Sequence, residues 1–325
     1  MPAPHITENV TRPARTLKEY VYLVFTGICM GAADIVPGVS GGTMAFIMGI
    51  YEELLNAIKT INLRLAQLAL KFKIKKCFEH VPWKFLVVLG ASILITLKLL
   101  AGLIDGVLAD PIGKVYLYAF FFGLVVTSIF TLGRHVKWNP AAAIALAVGI
   151  VIAYLIVGLV PSEMPHSPPY LFFSGMIAIM AMILPGISGS FILLILGQYA
   201  YVIEALKNLD LKVFIVFGAG AAVGLLGFAR ILSWLLERFH AITIAALIGF
   251  MTGSLRKIWP FKDAEKTTFI EDRHGELVPL KEPNRLPDFS SNEWWIALSL
   301  ALLGVVVILT IEVIHRRIAG QTNQG

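Results

Sequence analysis

The chain has 325 residues, 57% of them hydrophobic and only 15% charged, a balance that excludes an ordinary water-soluble domain and places most of the chain in lipid. The formal net charge of +6 does not point to nucleic acid, because the basic residues fall between apolar segments, where orientation in a membrane accounts for them. Cys29 and Cys77 stand far from any metal-ligand spacing, so neither a disulfide, a metal nor a resident cofactor is expected.

The first twenty residues are polar and lack a short apolar run ending at small residues, so the first span is expected to direct insertion. Apolar segments then follow at 20–36, 40–58, 83–108, 113–132 and 141–160, and again at 170–184, 188–206, 213–236, 242–258 and 294–314. Each is near the roughly 20 residues that cross a hydrocarbon core as helix. Trp83, Trp138, Trp259, Trp294 and Trp295 fall at segment ends as interfacial anchors. The expectation is an all-α polytopic membrane protein, a single membrane domain over residues 1–325 with a polar loop at 261–293.

The hexapeptide from Pro37 to Gly42 (PGVSGG) recurs 148 residues further on, from Pro185 to Ser190 (PGISGS). At the same shift Gly49 meets Gly197, Tyr51 meets Tyr199 and Lys59 meets Lys207, which reads as a duplication. Repeat one covers about 20–160 and repeat two about 170–314. Each consists of a segment broken at Pro-Gly followed by three spans. The two arms of the first break would rise about 25 and 28 Å as helices, marginal for two crossings and comfortable for a re-entrant hairpin. Either way the hairpin crosses an even number of times.

The placement of Lys and Arg tests this topology. With the N-terminus cytoplasmic, the hairpin returns the 59–76 loop and its six basic residues to that side. Three spans then put Asp105 and Asp110 outside, Arg134 and Lys137 inside, and the 161–169 loop outside. The second hairpin enters from the opposite face, Arg238 is inside, the 261–293 loop is extracytoplasmic, and the C-terminal His315, Arg316 and Arg317 are cytoplasmic. Three crossings per half make the repeats inverted. The exceptions are Lys207, Lys212, Arg256 and Lys257, which fall on the outer side.

The breaks carry the functional expectation. Pro37 lacks an amide hydrogen and disfavours helix at Val36, while Gly38, Gly41 and Gly42 permit backbone closed to other residues. Irregular backbone survives in a membrane only where protein buries it or water fills a cavity, and paired breaks commonly form transporter substrate sites. Free amides from Val39 to Thr43 and from Ile187 to Ile192, with the hydroxyls of Ser40, Thr43, Ser188 and Ser190, would make a nest suited to phosphate. Pro185, Gly186 and Gly189 repeat the break. The alternative is a tight turn between two spans, with the glycines serving helix packing.

Asp34, whose repeat counterpart is Met182, is an ionisable group in an apolar stretch; it could bind a coupling cation, exchange a proton or cap broken-helix amides. Glu52 is a second coupling candidate, though solvation near the surface explains it as well. Arg230, inside an apolar span, is a candidate phosphate counter-charge, with snorkelling or a pair with Glu237 as the alternatives.

The stretches GAADIVPGVSGGTMAFIMGIYEELLNAI (31–58), MILPGISGSFILLILGQYA (182–200) and GFMTGSLRKIWP (249–260) resemble the bacterial polyprenyl-phosphate (undecaprenyl-phosphate) transporter family, over about 20–314. The resemblance implies a multi-pass cytoplasmic-membrane protein that returns undecaprenyl phosphate from the outer to the inner leaflet, with the two Pro-Gly-x-Ser-Gly hairpins holding the phosphate head. Its expected partners are that lipid and the surrounding membrane lipids, with a proton or sodium ion as coupling ion. A rival reading is a membrane diphosphate phosphatase of similar hairpin design. Such an enzyme needs an arginine directly after the motif serine to clamp the phosphoryl group, where this chain has Gly41 and Gly189. A small-anion transporter using the same helix ends is the third.

Overall fold

The computed structural model describes residues 15–159, 164–263, 265–271 and 277–322, without the side chains of 206–207, 268–281 and 314–322. The expectations for the N-terminal residues before Arg15, for the side chain of Lys207 and for those of His315, Arg316 and Arg317 lie outside the described residues.

Helix α1 (Leu17–Ile35) opens on a capping box in which Thr16 and Glu19 satisfy each other's amides. Then follow α2 (Gly41–Ile47), α3 (Tyr51–Lys59), α4 (Leu63–Leu70), α5 (Ile74–His80), α6 (Trp83–Ala109), α7 (Pro111–Gly133) and α8 (Pro140–Val157). Asp110 and Asn139 cap α7 and α8, each followed by proline at the first helical position, where its missing N–H costs nothing. The second half contains α9 (Pro168–Ile183), α10 (Gly189–Ile195), α11 (Tyr199–Lys207), α12 (Leu211–Ile258) and α13 (Asn292–Thr322). Between α12 and α13, strands β1 (Thr268–Glu271) and β2 (Leu277–Lys281) form an antiparallel ribbon in the polar loop, a departure from an all-helical chain.

Among the described residues, α6, α7, α8, α12 and α13 are long and apolar enough to cross a membrane, so the chain is a helical multi-pass membrane protein. Helix α12 has 48 residues. Straight, it would run about 72 Å, more than twice a hydrocarbon core. It breaks at Phe239 (φ −132, ψ 47), so the expected segments 213–236 and 242–258 are two arms of one kinked helix.

A second departure concerns the return arms at 40–58 and 188–206, each expected as one run. Each is divided in two. Gly49 (φ 71) and Gly197 (φ 64) end α2 and α10 in the left-handed region. Ile50 N donates to Ala45 O and Gln198 N to Leu193 O, the six-to-one bond of a Schellman cap. The seven- and nine-residue helices that result are too short to span lipid singly.

Glycines set how the long helices pack, and in every case the contacts advance in the same sense along both chains. A Cβ at Gly27 would strike Leu89 and Ser92, and one at Gly31 would strike Ile93 and Thr96, so α1 and α6 run parallel. Gly220 sits on Phe172 O and Gly224 on Met176 O, making α9 parallel to the first arm of α12. Gly249 sits on Leu146 O and Gly253 on Ile150 O, joining α8 to the second arm of α12. A Cβ at Gly123 would strike Ala301, and Ala119 and Ala297, one turn earlier on each helix, share a buried cluster with Phe261, so α7 runs parallel to α13. Because α1 and α6 start at the same end, the hairpin between them returns the chain to the side it left.

Candidate functional site

The first break begins where Pro37 forces Val36 into extended backbone (φ −82, ψ 117) and ends α1. Gly38 follows at φ 90, and a side chain there would also collide with Lys257. The chain re-enters helix at Ser40, whose hydroxyl accepts from Gly42 N at 3.1 Å and donates to Met182 O at 3.2 Å. Asp34 Oδ1 accepts from Gly41 N at 2.7 Å. Val39 N reaches Val36 O, and Thr43 N and Met44 N reach Ser40 O. The expected free amides from Val39 to Thr43 are therefore corrected: those of Val39, Gly41, Gly42 and Thr43 all have acceptors. Of the roles open to Asp34, the geometry displays the cap. Ser40 and Thr43 are 0% and 1% exposed, so no anion can reach them here.

The first turn serves the second. Thr43 Oγ1 accepts from Gly186 N at 2.8 Å, and Tyr51 donates to Ile183 O at 3.0 Å. The Ser40 and Tyr51 hydroxyls thus satisfy carbonyls left over at the end of α9, at Met182 and Ile183, while Thr43 takes up an amide of the second break. Tyr118, on α7, likewise donates to Pro37 O at 2.8 Å.

The second break repeats the backbone: Leu184 is extended, Gly186 has φ 93, and Ile187 N bonds Leu184 O as Val39 N bonds Val36 O. Its amides fare differently. Met182 stands where Asp34 stands in the first copy, and the Ser188 hydroxyl pairs with that of Ser190 at 2.7 Å instead of capping α10. Among the described residues the amides of Gly189, Ser190 and Phe191 have no acceptor, while Gly189 and Ser190 are partly exposed.

A basic cluster stands at this open end. The Lys257 ammonium lies 4.9 Å from the ring of Phe191, the third residue of α10, while the stem of the same lysine packs on Gly38. One side chain therefore touches both breaks. Lys257 is 4.0 Å from Glu282, which also pairs with Lys114 of α7. Arg256 stacks on Tyr154 at 4.6 Å. Lys262 donates to the carbonyls of Arg256 and Lys257, capping α12, and to Asn284 at 2.7 Å. Burial and then the Lys257 charge, with Lys114 and Arg256 behind it, push the Lys262 ammonium down to about 7 against the pull of Glu282. Burial alone would raise Glu282, but Lys114, Lys257 and Lys262 outweigh it and hold its carboxyl below the usual range. Three lysines thus face one carboxylate, an arrangement with spare positive charge for an anion.

A family model described as "Undecaprenyl phosphate translocase-like" matches residues 30–278, which contain both breaks and Lys257. The chain belongs to this family. A polyprenyl-phosphate transporter of Vibrio cholerae serotype O1 is 40% identical over 90% of this chain and 96% of its own length. A polyprenyl-phosphate transporter of Staphylococcus aureus is 28% identical over 73% of this chain and 85% of its own. No solved structure matches.

Within this family member, two of the residues singled out in the sequence are not brought to the breaks. Glu52 pairs with His240 at 3.0 Å beside a cavity of about 60 Å³ that also holds Asn56, Ser233 and Glu237. Arg230 donates to Leu226 O and to Ile61 O, beyond the end of α3. Its expected alternative partner Glu237 pairs instead with Lys59 at 2.8 Å. The residues that sequence reasoning passed over are Lys257, Arg256, Lys114, Lys262 and Glu282. The available signal was the violation of charge orientation by Arg256 and Lys257, since a cation retained on the outer side asks for a reason.

Proposed function

We propose that the chain carries a polyprenyl phosphate, undecaprenyl phosphate in a bacterial cytoplasmic membrane, from the outer to the inner leaflet for reuse. The single observation carrying this is the start of α10, where among the described residues the amides of Gly189, Ser190 and Phe191 have no acceptor and the Lys257 ammonium lies 4.9 Å from the Phe191 ring. Backbone amides at a helix start and a nearby ammonium are what a phosphomonoester needs, and the prenyl tail can stay in lipid while the head is held.

The parallel packing supports an inverted repeat. If α1 and α6 point outward, α7 points inward and α8 outward; α9 and the first arm of α12 point inward, the second arm outward with α8, and α13 inward with α7. The second half then carries the first half's directions reversed, with both termini cytoplasmic. The partner exchange, in which the third helix of each half packs on the fourth of the other, is what a two-fold between the halves demands. On this reading the phosphate binds at the second turn in the state described and meets the first when Asp34 releases Gly41. A proton or sodium gradient biases the exchange by acting on that carboxylate.

The phosphatase reading lacks its phosphoryl clamp. Gly41 and Gly189 stand where its arginine would be, and a Cβ at Gly189 would lie 2.8 Å from the backbone oxygen of Ala178. The test is leaflet-resolved movement of undecaprenyl phosphate in proteoliposomes. The wild-type chain is expected to accelerate it over empty liposomes, and Ser188→Ala with Ser190→Ala to slow it about tenfold, by loss of hydrogen bonds to a charged group. No acceleration by the wild type, or phosphate release from the diphosphate, overturns the proposal. Displacement by inorganic phosphate at equal concentration would favour a small-anion transporter instead.

A further inference from the structure

The 59–82 connection is more than a basic loop. Helices α4 and α5 meet at Phe72, which takes a left-handed conformation (φ 50), and Asn62 and His80 tie them together at 3.2 Å. Neither helix buries a residue. Leu63, Leu70 and Phe72 are 82%, 80% and 86% exposed, with Ile74 and Phe78 also open, while Arg64, Lys71, Lys73, Lys75 and Lys76 are interleaved with them. Apolar exposure on that scale beside a run of cations fits a helix pair lying in a membrane interface rather than one facing water.

Beneath α4 is a cavity of about 820 Å³, walled by apolar side chains such as Leu63, Ala66 and Leu226 and furnished with two guanidinium groups, Arg64 and Arg230. Arg230 uses one N–H on Leu226 O (2.6 Å) and one on Ile61 O (2.7 Å). A guanidinium has five donors, so three remain, and no carboxylate pairs with Arg230 or Arg64 among the described residues. Two unpaired guanidinium groups above apolar walls at a membrane surface ask for an anion attached to hydrocarbon.

We infer that this cavity holds the headgroup phosphate of an anionic glycerophospholipid from the leaflet on which α4 and α5 lie, with its acyl chains passing between α4 and α12. The occupant is not the transported lipid. Ile61 lies ten residues beyond Tyr51, about 15 Å at helical rise from the breaks, and the small cavity along α3 between them is lined by Glu52 and Glu237, each already paired with a side chain of its own. The assignment requires only that the chain sits in a membrane, so it stands or falls apart from transport.

The test uses the full chain in nanodiscs of phosphatidylcholine with added phosphatidylglycerol, reading lipid retained on release by native mass spectrometry. Phosphatidylglycerol is expected to be retained in preference to phosphatidylcholine. Arg64→Gln, which breaks no bond in the structure, is expected to lower that preference about fivefold, as one lost cation near a membrane surface would. Arg230→Lys keeps the charge and is expected to lower it less. Lys75→Gln with Lys76→Gln, outside the cavity, should change it least. Equal retention of the two lipids, an equal effect of the α5 pair, or displacement of phosphatidylglycerol by undecaprenyl phosphate at equal mole fraction overturns the inference; inorganic phosphate at millimolar concentration should displace nothing.

Discussion

The two Pro-Gly breaks share a sequence pattern, a positive-φ glycine at 90° and 93° and a seven-residue helix, yet one is closed and the other open. The difference is concentrated in two positions, Asp34 against Met182 and Gly42 against Ser190. In the first copy Asp34 accepts from the Gly41 amide and the Ser40 hydroxyl from that of Gly42; the second has Met182 at the one place and Ser190, which takes up the Ser188 hydroxyl, at the other, and among the described residues the amides of Gly189, Ser190 and Phe191 have no acceptor. The same backbone geometry occurs twice, and two side-chain differences separate a turn whose amides are satisfied from one whose amides are free.

The comparison breaks most severely if the shared backbone is denied to one copy. Gly186→Ala places a Cβ 2.7 Å from Ser254 Oγ and 2.9 Å from both Met251 Cα and Phe250 O, at a φ that side chains rarely adopt. Backbone strain and overpacking of this kind cost about 1–3 kcal/mol each, so folded protein recovered from membranes should fall sharply. Gly218→Ala, with nothing within 4 Å, should leave recovery unchanged.

Next in size is the cation that touches both turns. Lys257→Gln should lower transport about 10- to 100-fold, because a hydrogen bond to a charged group contributes about 1.5–3 kcal/mol, with little change in melting temperature. A rate within twofold of wild type would remove Lys257 from the site. Exchanging the distinguishing residues sharpens the contrast further. Met182→Asp should place a resident carboxylate over the second turn and lower transport about tenfold, the competitor being covalently present. Asp34→Ala should remove the coupling and also cost stability, by about 1–3 kcal/mol, since it leaves the Gly41 amide without an acceptor. If Met182→Asp transports normally, the second turn is not where the phosphate sits.

How much of this was legible depends on which physical signal reported it. The breaks were readable because proline and glycine act on their own backbone, and the repeat shift located both at once. Gly49 and Gly197 were on the page as matched residues, but an apolar run with one internal glycine reads as continuous until the Schellman cap is seen. The kink at Phe239 carries no proline or glycine, and two apolar segments separated by Glu237 and Arg238 look like two spans. The engagement of the first nest by Asp34 was readable only as one of three roles, because a carboxylate seven residues before an amide declares a cap only once the turn is built. The basic cluster was least legible, since Lys114, Lys257 and Glu282 come from three separate regions and only tertiary packing joins them.

The smallest effect should come from Lys262, and its sign distinguishes binding from stability. Its ammonium titrates at about 7 in the folded chain against 10.5 for a free lysine, burial being the main cause and Lys257 the next. The cluster therefore loses one positive charge as pH rises through about 7, and its affinity for the phosphate head should weaken by a few-fold between pH 6.5 and 8.5, a window in which the phosphomonoester is already mostly doubly charged. Stability runs the other way. Between 7 and 10.5 the unfolded chain binds more protons at this residue than the folded one, so the contribution of Lys262 to stability rises with pH. Lys262→Arg cannot lose its proton in this range and should flatten the affinity profile while keeping the acid-side value. Headgroup affinity that stays level from pH 6.5 to 8.5 in the wild type would place Lys262 outside the field felt by the phosphate, leaving Lys257 and the α10 amides to hold it without that neighbour.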